Sequence, residues 1–297
     1  MATTSATAQH WIAGARLRTL PAAVAPVLIG SAVAVHADEG VLWKALLALV
    51  VSLALQVGVN YANDYSDGIR GTDDERVGPL RLVGSGLATP AAVKRAAFTA
   101  FGVAAVAGLV LAATTSPWLV LVGAVSVLAA WYYTGGSKPY GYLGLGEVMV
   151  FVFFGLVATV GTTWVQTQEW GDPGWASVAA GTGVGALACA ILVANNLRDI
   201  PTDEVAGKIT LAVRLGDRRT RFFYAALVAL AAGAVLVLAA LTSTWALLGL
   251  GFLLPAAAAT RVVLSGARGP ALIPVLQQTG IAELVLAVLA GLGLVLA

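Results

Sequence analysis

Two segments far apart in the chain concentrate side chains that could hold a charged ligand. The first runs Asn60-Tyr-Ala-Asn63-Asp64-Tyr-Ser-Asp67. At 3.6 residues per turn, positions 60, 63, 64 and 67 form one helical patch of amides and carboxylates. The second runs Asn195-Asn196-Leu-Arg198-Asp199-Ile-Pro-Thr-Asp203, with its carboxylates again four apart. Pro201 is expected to interrupt or sharply turn a helix there, which weakens the case for a shared face.

Carboxylates gathered at one place repel and need a compensating cation. An all-oxygen set of Asp and Asn suits a hard ion such as Mg2+, which keeps some waters and bridges to phosphate oxygens. Arg81, Lys138, Arg198 and Lys208 offer positive charge for a polyanion. Two such patches facing each other across a metal-bridged diphosphate would stabilise charge on a leaving group and favour heterolysis of an allylic C–O bond. The plain alternative is that the acids are solvated helix ends balancing the arginines. A single pair four apart is better read that way; two Asn-rich pairs on separate elements favour a ligand site.

The elements that carry these residues belong in a membrane. The 297 residues are 59% hydrophobic and only 11% charged, against about a quarter charged in soluble domains. Nine stretches are apolar enough to cross a bilayer, at approximately 17–36, 42–63, 95–113, 117–133, 147–168, 175–196, 221–241, 244–262 and 271–296. Backbone amides cannot stay unpaired in lipid, so the stretches are expected to be helices of one all-α bundle spanning 1–297. Abundant Gly and Ala suit close helix packing. With the N-terminus cytoplasmic, every one of the seventeen Lys and Arg residues except Lys44 falls in a cytoplasmic segment. This positive-inside pattern expects an odd span count, an outer C-terminus and both acidic segments on the cytoplasmic side. Trp43, Trp118, Trp170, Trp175 and Trp245 lie near outer ends and read as interfacial anchors. The first apolar run follows Arg16 and Arg18 and has no small-residue cleavage site, so it reads as a span and not a signal peptide. The lone Cys189 excludes an internal disulfide. Spans one to four and five to eight look like related halves. Glu283, inside the last stretch, is expected to have a hydrogen-bonded partner, and Glu147 is placed to orient the loop that holds Lys138.

Taken in order, NYANDYSDGIRGTDD at 60–74, GPLRLVGSG at 78–86, SKPYGYLGLGE at 137–147 and NNLRDIPTDEVAGKITLAVRLG at 195–216 resemble the UbiA superfamily of intramembrane prenyltransferases over nearly the whole chain. RTLPAAVAPVLIGSA at 18–32, with the KPYGYLGLGE and GKITLAVRLG stretches, resembles the dihydroxynaphthoate branch of menaquinone synthesis. The resemblance implies a nine-helix bundle capped by acidic cytoplasmic loops and open sideways to lipid. It also implies Mg2+, a polyprenyl diphosphate donor and 1,4-dihydroxy-2-naphthoate as acceptor, with loss of CO2. Matched by position, Asn60, Asn63, Asp64 and Asp67 belong to the first motif, and Asp199 and Asp203 to the second. The family's last Asp of motif one would fall at Gly71, and Asp73 stands in for it, with the role of Asp74 open. Lys138, Arg198, Lys208 and Arg81 are then diphosphate candidates beside Asn195 and Asn196. Tyr140 and Tyr142 are either pocket-lining or interfacial, and Arg16 and Arg18 chiefly set orientation.

Two rival readings compete with this one. A transporter would place its ionisable groups near the bilayer midplane, whereas these acids sit at the cytoplasmic rim. A prenyltransferase with another acceptor, such as 4-hydroxybenzoate, homogentisate or haem, is opposed only by the branch-like stretches. The basic residues follow the membrane topology, so a nucleic-acid partner is not expected. Oligomeric state is not legible.

Overall fold

The computed structural model describes residues 6–71 and 80–297. Asp73 and Asp74 lie outside the described residues. The described secondary structure is helical throughout. A short α1 (Ala8–Gly14) leads into α2 (Pro21–His36), followed by α3 (Leu42–Arg70), α4 (Pro90–Thr114) and α5 (Trp118–Tyr132). The second half comprises α6 (Gly146–Thr167), α7 (Gly171–Val205), α8 (Leu211–Leu241), α9 (Thr244–Leu264) and α10 (Gly269–Val295).

All nine expected stretches coincide with a helical segment, but they do not make nine full-length crossings. Seven helices are long and apolar enough to cross a membrane, or eight when Ala8–Thr19 and Pro21–His36, bent by 51°, count as one span. The remaining segment, α5, has 15 residues. At 1.5 Å per residue it covers roughly 22 Å, short of a bilayer core of about 30 Å.

The largest departure from the sequence boundaries is at the two motif helices. Both continue past the expected membrane edge: α3 to Arg70 and α7 to Val205. Pro201 does not interrupt α7, contrary to expectation. An internal proline costs about 3 kcal/mol, but here it lies in the last turns of a helix whose Leu197, Arg198, Asp199 and Asp203 are all buried. Thr202 Oγ1 also donates to the Asp199 carbonyl at 2.9 Å. Asp199 and Asp203 therefore share a helical face after all. The first motif helix ends at Gly71, whose φ of 72° supplies a left-handed cap.

The most buried span, α7, runs through the main core and packs against α2, α6, α8 and α10. Its approach to α6 depends on glycine. A Cβ on Gly155 would lie 2.7 Å from both the Gly181 carbonyl oxygen and the Gly185 Cα. Around that contact α6 widens into a π-helical turn, Phe151–Val157. Such turns re-aim side chains within a helix, and Phe153, Phe154 and Val157 line the cavity described below.

Two polar residues within the spans have specific fates. Lys44, the exception to the charge pattern, is buried, and its ammonium donates to the Val165 carbonyl at 2.6 Å, near the end of α6. It thus satisfies a carbonyl that helix termination would leave open. Glu283 is wholly buried, and neither carboxyl oxygen has a hydrogen-bond partner among the described residues. The expected partner is absent there.

Candidate active site

The first motif gathers three separate segments of chain around the end of α3. Asn60 Nδ2 donates to the Ala15 carbonyl at 2.9 Å and to Thr19 Oγ1 at 3.0 Å, tying down the bend before α2. The Asn63 side-chain oxygen accepts from Thr134 Oγ1 at 2.8 Å, fixing the exit of α5. Asp64, fully buried, accepts the backbone N–H groups of Leu82 (2.7 Å) and Val83 (3.0 Å). Asp67 accepts the Tyr142 hydroxyl at 2.8 Å and pairs with Arg81 at 3.5 Å. The helical patch expected from spacing exists, and its side chains together hold the segment of Ala15 and Thr19, the segment 81–83 and the loop after α5.

The second motif neutralises much of its own charge. Arg198 grips Asp199 with two bonds, Nε to one oxygen at 2.6 Å and an Nη to the other at 2.7 Å, and also donates to Asn195 Oδ1 at 2.8 Å. Lys208 pairs with Asp203 at 3.6 Å. Asn196 donates to Glu147 Oε1 at 2.9 Å. Glu147 therefore braces the second motif, and among the described residues it makes no hydrogen bond to the Lys138 loop.

Tyr142 joins the two motifs. Its hydroxyl bonds Asp67 of the first, while Lys208, paired with Asp203 of the second, sits 5.4 Å from its ring centroid. Arg70 lies 5.5 Å from the same ring and donates to the Thr134 and Gly136 carbonyls. Cations over a phenol face are held by the ring quadrupole. The result is a relay of alternating charge, Arg81–Asp67–Tyr142–Lys208–Asp203, at one end of the bundle. Lys138 stands apart from it, exposed to solvent.

Sequence reasoning underrated two features. Arg16, expected chiefly to set orientation, acts by its charge on Asp64, and its backbone is left-handed at φ 54°. A residue with a Cβ is rarely held there unless the surroundings enforce it. Gln56, one turn before Asn60, was not singled out, although the four-residue spacing puts it on the same face.

Below the polar cluster lies a cavity of about 310 Å3. Asn60, Asn63, Tyr133 and Tyr140 border its end nearest the motifs; Leu111, Leu119 and Val165 line its far end. Its walls are mainly apolar. Tyr140 donates its hydroxyl to the Ala129 carbonyl at 2.7 Å, and burial pushes its pKa up from the ordinary tyrosine value. It is a fixed donor, not a base.

Among the described residues no three His, Cys, Asp or Glu side chains stand close enough to enclose a metal by themselves. Asp67, Asp199 and Asp203 with the motif asparagines are nevertheless an oxygen set of the kind hard cations take when waters and phosphate complete the shell. Arg81, Arg198 and Lys208 now occupy those carboxylates.

Comparison with known proteins agrees with this architecture. Residues 23–275 match the model of the UbiA prenyltransferase family. The chain is 56% identical to the 1,4-dihydroxy-2-naphthoate octaprenyltransferase of Mycobacterium tuberculosis, over 93% of both chains. It is 39% identical to the Escherichia coli protein of the same name, over 74% of this chain and 72% of that one. In fold it is similar to the apo structure of a UbiA homolog from Aeropyrum pernix (TM-score 0.69, 13% identity, 92% of this chain and 97% of that one). It is also similar to an Archaeoglobus fulgidus UbiA homolog bound to DMAPP and Mg2+ (TM-score 0.56, 14% identity, 94% and 99%). A helical membrane bundle with two acidic motifs at one end and an apolar cavity beneath them, matched along most of its length, belongs to the UbiA prenyltransferase family.

Proposed function

We propose that this protein transfers a polyprenyl group from polyprenyl diphosphate to 1,4-dihydroxy-2-naphthoate, releasing diphosphate and CO2 and giving demethylmenaquinol. The observation that carries the reading is that the motif helix bordering an apolar cavity with Asn60 and Asn63 joins the Asp67–Tyr142–Lys208–Asp203 relay one turn further on. Similarity at 56% identity over 93% of the chain to a protein named for that activity supports the choice of acceptor.

Asp67, Asp199 and Asp203, with Asn60, Asn63 and Asp64 behind them, are the residues that would hold Mg2+, and Asp73 is a further candidate. When bound, the metal supplies charge stabilisation to a departing diphosphate. Arg81, Arg198 and Lys208 turn from their carboxylates to the diphosphate oxygens as the donor enters, so that its charge is met without leaving a cation unpaired. Lys138, on its exposed loop, closes over the same group from outside. Asn195 and Asn196 hold Arg198 and Glu147 in place for this exchange.

The prenyl chain lies along Leu111, Leu119, Val122 and Phe153. Cleavage of the allylic C–O bond sends its electron pair to diphosphate. The electron-rich ring then forms the new C–C bond, and the carboxylate leaves as CO2, returning its bonding pair to the ring. Walls without water protect the allylic cation from hydrolysis. The site faces the cytoplasm, with the N-terminus on that side and an outer C-terminus, in one domain spanning the chain.

The test is direct. Membranes containing the protein receive Mg2+, a polyprenyl diphosphate and, separately, 1,4-dihydroxy-2-naphthoate or 4-hydroxybenzoate. Prenylated and decarboxylated naphthol, with matching diphosphate release, is expected only from the first. Product from 4-hydroxybenzoate alone would reassign the acceptor, and release of no diphosphate with either would refute the reading.

A further inference from the structure

Gln56 is 5% exposed and borders the cavity one helical turn below Asn60. Its amide nitrogen is turned to a neighbouring hydroxyl, Thr19 Oγ1. Thr19 has one hydroxyl proton, and it goes to the Arg16 carbonyl at 2.9 Å. Thr19 Oγ1 must therefore accept from its other partners, which are Gln56 Nε2 at 2.6 Å and Asn60 Nδ2 at 3.0 Å. In the orientation the structure shows, Gln56 Nε2 and Asn60 Nδ2 share the lone pairs of Thr19 Oγ1. Gln56 Oε1 is thus left as a buried acceptor without a hydrogen-bond partner among the described residues. Buried acceptors without donors are uncommon, and one at a cavity wall points to a donor on a ligand.

The chemistry of the reactants selects the ligand. Diphosphate oxygens are acceptors, and a prenyl chain has no polar hydrogen; neither can satisfy Gln56. A dihydroxynaphthoate brings two hydroxyls. The one beside its carboxylate is held internally by that carboxylate, which leaves the hydroxyl at ring position 4 free. We propose, resting on the acceptor assignment above, that Gln56 Oε1 accepts a hydrogen bond from the 4-hydroxyl of the naphthoate and so selects a 1,4-dihydroxy ring. The helical rise of about 6 Å between Gln56 and Asn60 puts this contact below the polar rim and leaves the carboxylate-bearing edge towards it. Thr19, which touches no substrate, is a positioning residue that holds the amide in register.

The test compares 1,4-dihydroxy-2-naphthoate with 1-hydroxy-2-naphthoate, which lacks the 4-hydroxyl, in membranes supplied with Mg2+ and polyprenyl diphosphate. The readout is the ratio of the inhibition constant of the monohydroxy acid to the KM of the dihydroxy acid. In the unaltered protein this ratio is expected to be about tenfold or more, the discrimination of one buried hydrogen bond. In Gln56→Met it is expected to fall to about twofold or less, with the KM for polyprenyl diphosphate unchanged. Thr19→Val, which frees the amide to rotate, is expected to lower the ratio as well, and it serves as the readout if Gln56→Met does not fold. A ratio that stays at the unaltered value in a folded variant overturns the proposal, as does a ratio near one in the unaltered protein. Failure of the acceptor assignment itself is seen earlier and separately, as no product from the unaltered protein with 1,4-dihydroxy-2-naphthoate; it overturns both.

Discussion

The Tyr142 hydroxyl donates to Asp67 at 2.8 Å, across 75 residues of sequence. With Lys208 against the same ring, this bond makes the loop after α5 the bridge between the two acidic motifs. Removing it tests whether the bridge matters. Tyr142→Phe keeps the ring and its cation contact but leaves Asp67 without that donor. Loss of a hydrogen bond to a charged group is worth about 1.5–3 kcal/mol, so kcat/KM is expected to fall roughly 10- to 100-fold, measured as diphosphate release. Tyr142→Ala, which also removes the face under Lys208, is expected to be worse.

The metal requirement follows from the oxygen set. Stripping divalent ions with EDTA is expected to abolish turnover, and Mg2+ to restore it. Asp203→Asn is expected to raise the Mg2+ concentration needed for half-maximal activity, because one charged ligand is lost. Unchanged Mg2+ dependence in that variant would remove Asp203 from the site.

Packing between α6 and α7 makes a prediction about stability alone. Gly155→Leu would drive a side chain into the backbone of Gly181 and Gly185. Overpacking of this kind costs about 1–3 kcal/mol or more. A lower melting temperature in detergent is expected, together with distortion of the π-helical turn that lines the cavity.

Lys44→Met tests the explanation for the misplaced cation. If Lys44 serves to satisfy the Val165 carbonyl, the variant is expected to lose about 1–3 kcal/mol of stability from the acceptor left behind, while its membrane orientation, read by cysteine labelling of the termini, stays the same.

Much of this was legible in the sequence, for physical reasons. Apolar length reported the spans, and spacing reported the face shared by Asn60, Asn63, Asp64 and Asp67. What local rules could not show was the influence of tertiary packing. Pro201 is tolerated in the last turns of α7, where Leu197, Arg198, Asp199 and Asp203 are held by packing. Arg16 reaches Asp64 through a left-handed bend that no periodicity reveals. Lys138 was favoured on charge and a flexible loop, but Lys208 holds the closer position, beside both Tyr142 and Asp203. The short α5 was read as a full span because hydropathy registers composition better than helix ends.

The central claim is that both motifs act on one diphosphate. The measurement that bears on it most directly is single-turnover diphosphate release at saturating Mg2+ by Asp67→Asn, Asp203→Asn and the double variant. Groups acting as a unit are strongly non-additive. Each single variant is expected to slow release by about 100-fold or more, and the double variant to be little slower than the worse single one. Near-normal release from either single variant, or losses that multiply in full, would contradict a shared site.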